Sequence, residues 1–141
     1  MLLRLKIFSM QKRIHRWLQA DRFFKSLAVC ATLVVVYLSL KPPSPDADTW
    51  VFLSFRGDLA LHFICYFGLT LLYFFAFYTT INPMSSKSLV IAVVLGTFLE
   101  ILQLIPFFQR YFDWQDLIAN SLGGLVSWLI IKGIFNYSIK E

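Results

Sequence analysis

Residues 58–81 read DLALHFICYFGLTLLYFFAFYTTI, and this stretch decides the fold. After Asp58 it holds no residue with a formal charge, and its length exceeds the roughly 20 residues a helix needs to cross about 30 Å of hydrocarbon. It is not uniformly apolar, however. Asp58, His62 and Tyr66 recur at four-residue intervals, which places them along one helix face. A charged side chain near the bilayer centre costs about 2.5–3.5 kcal/mol on insertion scales, so this face needs partner helices rather than lipid.

Working outward, three further apolar runs qualify as spans: Phe23 to Leu40, Ser88 to Phe108 and Asp116 to Phe135, beside Leu59 to Ile81. The breaks between them carry turn chemistry. They are Lys41-Pro42-Pro43-Ser44-Pro45, Asn82-Pro83-Met84-Ser85-Ser86, and the segment from Pro106 to Gln115. The composition agrees, being 58% hydrophobic and only 15% charged, where a soluble domain is about a quarter charged. The fold class expected is therefore all-α, an integral membrane bundle of four transmembrane helices. Residues 1–22 form a basic cytoplasmic segment, 23–135 the four-helix domain and 136–141 a cytoplasmic tail.

Charge sets the orientation. Of the 13 basic residues, ten fall on one side: Arg4, Lys6, Lys12, Arg13, Arg16, Arg22 and Lys25, then Lys87, Lys132 and Lys140. Lys41, Arg56 and Arg110 fall on the other. The positive-inside rule makes the first group cytoplasmic, with both termini inside and the first and third loops outside. In the N-terminal segment Leu3, Ile7, Met10, Ile14 and Trp17 recur at helical spacing. They read either as an amphipathic helix on the anionic inner leaflet or as a plain topology-setting tail. No cleavable leader is expected, since no A-x-A-like site follows the basic region. Cys30 and Cys65 lie in apolar runs and read as inert thiols.

The polar residues inside the spans are the candidates for function. Glu100 and Gln103 share a face of the third span, and Asp116 and Asn120 a face of the fourth. His62 lies about 6 Å below Asp58, and Asn120 about 6 Å below Asp116. Helices running in alternating directions thus bring these groups to a similar depth in the outer third of the membrane. Glu100 stands out between Thr97-Phe98-Leu99 and Ile101-Leu102, with His62 and Arg110 as its expected partners. One reading is polar glue that fixes packing; the other is a pocket open to the outside. Ala119, Gly123 and Ser127, with Gly124 beside them, read as a packing stripe against the third or second span. Gly96 reads the same way, and Trp50, Tyr111, Phe112 and Trp114 as an outer aromatic belt.

Two polar motifs resemble the signatures of VanZ-like membrane proteins. Asp58-(x3)-His62-Phe63-(x2)-Tyr66-(x2)-Leu69 is similar to their D-K-x-x-H-F-x-x-Y-x-x-L. Glu100-(x2)-Gln103, Arg110 and Asp116-(x3)-Asn120-(x2)-Gly123 are similar to the second signature. The resemblance spans about residues 38 to 130. Leu59 stands where the family usually has lysine, and Pro106-Phe107-Phe108-Gln109-Arg110 replaces the common Pro-Gly-Arg wording. The resemblance implies a multi-pass protein of the bacterial cytoplasmic (inner) membrane, in a family named for low-level resistance to the glycopeptide teicoplanin.

Two functions follow as expectations. In the first, a polar pocket facing outward binds or modifies the head group of a lipid or lipid-linked envelope intermediate. His62 and Glu100 form its acid/base pair, and Asp58, Tyr66, Gln103, Arg110, Asp116 and Asn120 contact the ligand, with Arg110 on a phosphate or carboxylate. In the second, the chain is a small accessory membrane subunit whose polar residues only fix helix packing. A channel is a weaker third reading, because the cytoplasmic half of the spans offers no continuous charged path. His62, Glu100 and Asp116 could supply one nitrogen and two carboxylate ligands, but no tight ligand motif is present, and no metal or cofactor is expected. Membrane lipids are the expected partners. The net charge of +5 reads as a topology signal rather than a nucleic-acid surface.

Overall fold

The computed structural model describes residues 21–42, 51–52, 55–77 and 84–136. The amphipathic reading of residues 1–20, the belt position of Trp50 and the tail beyond Asn136 lie outside the described residues. Four helices make up the bundle: α1 (Asp21–Leu40), α2 (Gly57–Phe77), α3 (Met84–Gln103) and α4 (Trp114–Asn136). Each contains a run long and apolar enough to cross a membrane. A short antiparallel hairpin, β1 (Val51–Phe52) on β2 (Phe55–Arg56), leads into α2.

The third helix corrects the sequence reading, which ran it to Phe108. It stops at Gln103, and Leu104 and Ile105 donate to the carbonyls of Ile101 and Leu102 in a tightened last turn. The cause is Pro106. Its ring disfavours helical backbone at the residue before it, and Ile105 is extended at φ −73°, ψ 123°. A single 3-10 turn, Pro106–Phe108, follows and closes on Gln109, whose φ of 51° is left-handed. This is the residue directly before Arg110, where the family's usual wording has glycine. The chain thus makes this left-handed turn without a glycine.

Burial is inverted relative to a soluble protein. Leu33, Val34, Val94, Phe98, Ile118 and Leu129 face outward, each more than half exposed. The least accessible side chains include Glu100, Gln103 and Asn120, each 1% exposed, together with Thr70, Ser88 and Ser127. Water would reverse this arrangement; hydrocarbon around the bundle produces it, since apolar side chains lose nothing against lipid and polar ones lose their partners. The molecule is a multi-pass membrane protein, with four helices able to span a membrane among the described residues.

α2 is the central helix, packed most extensively on α4 and also against α1 and α3. Between helices in lipid, close packing and hydrogen bonds do the work that the hydrophobic effect does in water. The small stripe of α4 serves both neighbours expected of it. Gly123 lies against the backbone carbonyl of Phe63 in α2, and Gly124 meets Leu89 and Val93 of α3 and Thr70 of α2. On the other flank, the hydroxyls of Thr32 and Tyr73 hydrogen-bond at 2.7 Å and join α1 to α2.

A methyl group at Gly123 would collide with the Phe63 backbone, which cannot rotate away, whereas Gly133 has open space around it. Gly123→Ala is therefore expected to lower unfolding stability in detergent by about 1–3 kcal/mol. Gly133→Ala should match or exceed the wild type, and equal stability of the two variants would refute this α2–α4 contact.

Candidate functional site

The alternation of the helices brings four polar positions together at one end of the bundle, where the α1–α2 and α3–α4 connections lie. His62 comes from the first turns of α2, Glu100 from the last turn of α3, and Asp116 and Asn120 from the start of α4. His62 Nδ1 lies 2.9 Å from Asn120 Oδ1. A carboxamide oxygen can only accept, so Nδ1 carries the hydrogen and donates it. The other ring nitrogen, Nε2, then faces Asp116 Oδ2 at 3.4 Å. Glu100 completes the group: His62, Glu100 and Asp116 each offer a donor atom, all within 4.8 Å of one another. The cluster is nearly closed, with side-chain exposures of 13% for His62 and 7% for Asp116.

Glycine makes room for this arrangement. A side chain at Gly96 would run into the ring of Tyr66 and the amide nitrogen of Asn120. Its absence lets both lie over the α3 backbone. Tyr66, 1% exposed, thus packs beneath the cluster.

Above the cluster sits a rim that sequence reasoning missed. Arg56 of β2 grips Asp58 through Nε and Nη2, and its Nη1 reaches Asp113 Oδ2 at 3.1 Å and Gln115 Oε1 at 2.7 Å. One guanidinium thereby ties the hairpin and α2 to the start of α4. Hydrogen bonding to Asp58, then to Asp113, raises the Arg56 pKa still further above its usual value, so the clasp stays cationic.

Asp113 is the second missed residue, and it does three things. Its Oδ1 accepts the N–H of Gln115 at 2.8 Å and caps α4. Its Oδ2 holds Arg56, and its own N–H points at Glu100 Oε2 at 3.4 Å. The signal for the cap was present, an acid just before an apolar run with Asp116 three residues on. Nothing local could have found Arg56, whose partners, the cap and the second residue of α4, are 57 and 59 residues away.

A family model described as VanZ/LLP1 matches residues 2–136 of this chain. The chain belongs to the VanZ/LLP1 family. The match extends beyond the stretch from 38 to 130 over which the motifs resemble VanZ-like proteins. No curated protein and no solved structure matches it. Every polar position of the VanZ-like motifs can now be placed. His62, Tyr66, Glu100, Asp116 and Asn120 come together, and Asp58 joins them through the rim.

Gln103 and Arg110 go elsewhere. The Gln103 amide donates to the carbonyl of Ser39 at 3.0 Å and tethers α3 to α1. Arg110 was expected beside Glu100, but among the described residues no ion pair joins them. Instead Arg110 Nη1 donates to the carbonyl of Lys41 at 3.2 Å. The expected His62–Glu100 pairing is also modified, since the direct neighbours of the imidazole are Asn120 and Asp116.

Because Asp113 both caps α4 and anchors Arg56, the two roles can be separated. Asp113→Ala is expected to lower unfolding stability by about 1–2 kcal/mol, and Asp113→Asn to recover the cap and most of that loss. Equal damage from both variants would show that the Arg56 contact, not the cap, is what matters.

Proposed function

We propose that this polar end binds the anionic head group of a lipid or a lipid-linked envelope intermediate. In this reading the bundle sits in the bacterial cytoplasmic membrane with both chain ends inside, and the cluster faces outward. The observation that carries it is the meeting of Arg110 with Lys41. The Arg110 guanidinium bonds to the main-chain carbonyl of Lys41, so two basic residues from different connections meet, and among the described residues neither is ion-paired to a carboxylate. Arg56, by contrast, is already neutralised by Asp58 and Asp113. Uncommitted cations at the mouth of a bundle suit phosphate oxygens, which a guanidinium can hold through two parallel hydrogen bonds.

The buried cluster supplies the chemistry beneath that mouth. With Nδ1–H engaged by Asn120, Nε2 is the ring atom of His62 free to take or give a proton, and Glu100 and Asp116 stand beside it. An envelope role connected with glycopeptide response fits such a head-group site. The second reading, that these polar groups only fix packing, draws on the way they bridge α2, α3 and α4.

One experiment separates the two. The full-length protein is extracted from its own membranes, exchanged through delipidating detergent and weighed by native mass spectrometry. The wild type is expected to retain a phosphate-bearing lipid. Replacing Arg110 with Ala should reduce that retention at least tenfold while leaving thermal stability within a few degrees. Undiminished lipid retention in Arg110→Ala, or a collapse of stability with lipid still bound, would favour packing alone.

A further inference from the structure

The contact between His62 and Asp116 does not close between an unprotonated ring nitrogen and an unprotonated carboxylate. Nδ1 has given its hydrogen to Asn120, so Nε2 presents a lone pair to a carboxylate oxygen 3.4 Å away. Two lone pairs facing each other inside a bilayer repel unless a proton or a metal cation lies between them. That separation is longer than the 2.7–3.2 Å of ordinary N–H···O bonds. It matches the edge of a tetrahedron with bonds of about 2.0–2.2 Å, whose corners lie about 3.4 Å apart.

Three further observations point the same way. Glu100 brings a second carboxylate, so that one nitrogen and two oxygen donors lie within 4.8 Å of one another. Asp116 is 5% exposed, yet its other oxygen, Oδ1, is buried without a hydrogen-bond partner among the described residues. No lysine or arginine there forms an ion pair with Glu100 or Asp116; Arg56 bonds to Asp58, Asp113 and Gln115, and Arg110 to the Lys41 carbonyl. Two carboxylates with no lysine or arginine in contact, one of them holding an unused buried oxygen beside the imidazole, form a site that can take up a further cation.

We propose that His62 Nε2, Glu100 and Asp116 bind a divalent transition-metal cation of the zinc class. Asn120 acts as a positioning residue that fixes the imidazole with Nε2 toward the ion. Histidine ligands to metals nearly always donate their second ring hydrogen to an oxygen in this way. Three protein donors leave at least one coordination position open. The inference goes beyond head-group binding, and either can hold without the other. It reassigns Nε2 from proton carrier to ligand.

The test uses the full-length protein in detergent, stripped with chelator and reloaded with zinc chloride or cobalt chloride. Elemental analysis of the wild type after gel filtration should give one zinc per chain, and cobalt should produce the visible absorption of a four- or five-coordinate site. In competition with a chromophoric chelator, Asn120→Ala should weaken zinc binding by about 10–100-fold. His62→Ala, Glu100→Gln and Asp116→Asn should weaken it at least as much. His15→Ala, which removes the chain's other histidine, should leave it unchanged.

Should the ligand variants fail to fold, the wild-type cobalt spectrum and a rise in wild-type Tm with zinc still decide the matter. Substoichiometric zinc in the wild type, a six-coordinate aquo-like cobalt spectrum, or unchanged affinity in folded His62→Ala would overturn the proposal. Phosphate-bearing lipid retained by metal-stripped wild type that fails to bind zinc would sink the metal site and leave the head-group reading standing. Stoichiometric zinc without lipid retention would do the reverse.

Discussion

His62 is held from two sides by one helix: Asn120 takes its Nδ1 hydrogen and Asp116 faces its Nε2. Most of the structure follows from the need to keep that imidazole and the neighbouring carboxylates away from acyl chains. A lone carboxylate in hydrocarbon is too costly to persist, so Glu100 and Asp116 can exist at this depth only where other helices cover them. Covering them requires α2, α3 and α4 to meet at one end. That meeting in turn requires small residues where backbones and rings approach, which Gly123 and Gly96 supply. The polar groups and the glycines are two halves of one constraint.

The rim extends the same logic toward water. Arg56, exposed at 44% of its side chain, lies where solvent screens its pairs, so each is worth little alone. Its value is geometric: one planar guanidinium engages Asp58, Asp113 and Gln115 and so aligns the starts of two helices. Asp113 links rim to cluster through its N–H at Glu100. A disturbance at the surface can therefore reach the buried carboxylate through a single residue. Arg110, which bonds to the main-chain carbonyl of Lys41, links the α3–α4 connection to the end of α1.

The four spans and the shared depth of their polar groups were legible in the sequence, because helical period and span length are local properties. Asp58, His62 and Tyr66 announce a face by spacing alone, as do Asp116 and Asn120. Other features depend on contacts between residues distant in the chain. The partner of Gln103 is a carbonyl 64 residues away, and Arg56 finds Asp113 across two helices. Neither pairing leaves a local trace. The early end of α3 was readable at Pro106 and was overrun because Phe107 and Phe108 continue the apolar pattern. Gln109 is subtler still: it takes a left-handed backbone at φ 51° without being glycine, so residue type there gives no sign of the turn.

The central claim is that His62 and Asn120 act as one unit across the α2–α4 interface. A double-mutant cycle on unfolding stability in the full-length protein tests it most directly, using His62→Ala, Asn120→Ala and the pair. Coupled residues in one hydrogen-bonded network should give an interaction energy of about 0.5 kcal/mol or more. Effects that simply add, within about 0.3 kcal/mol, would contradict the account.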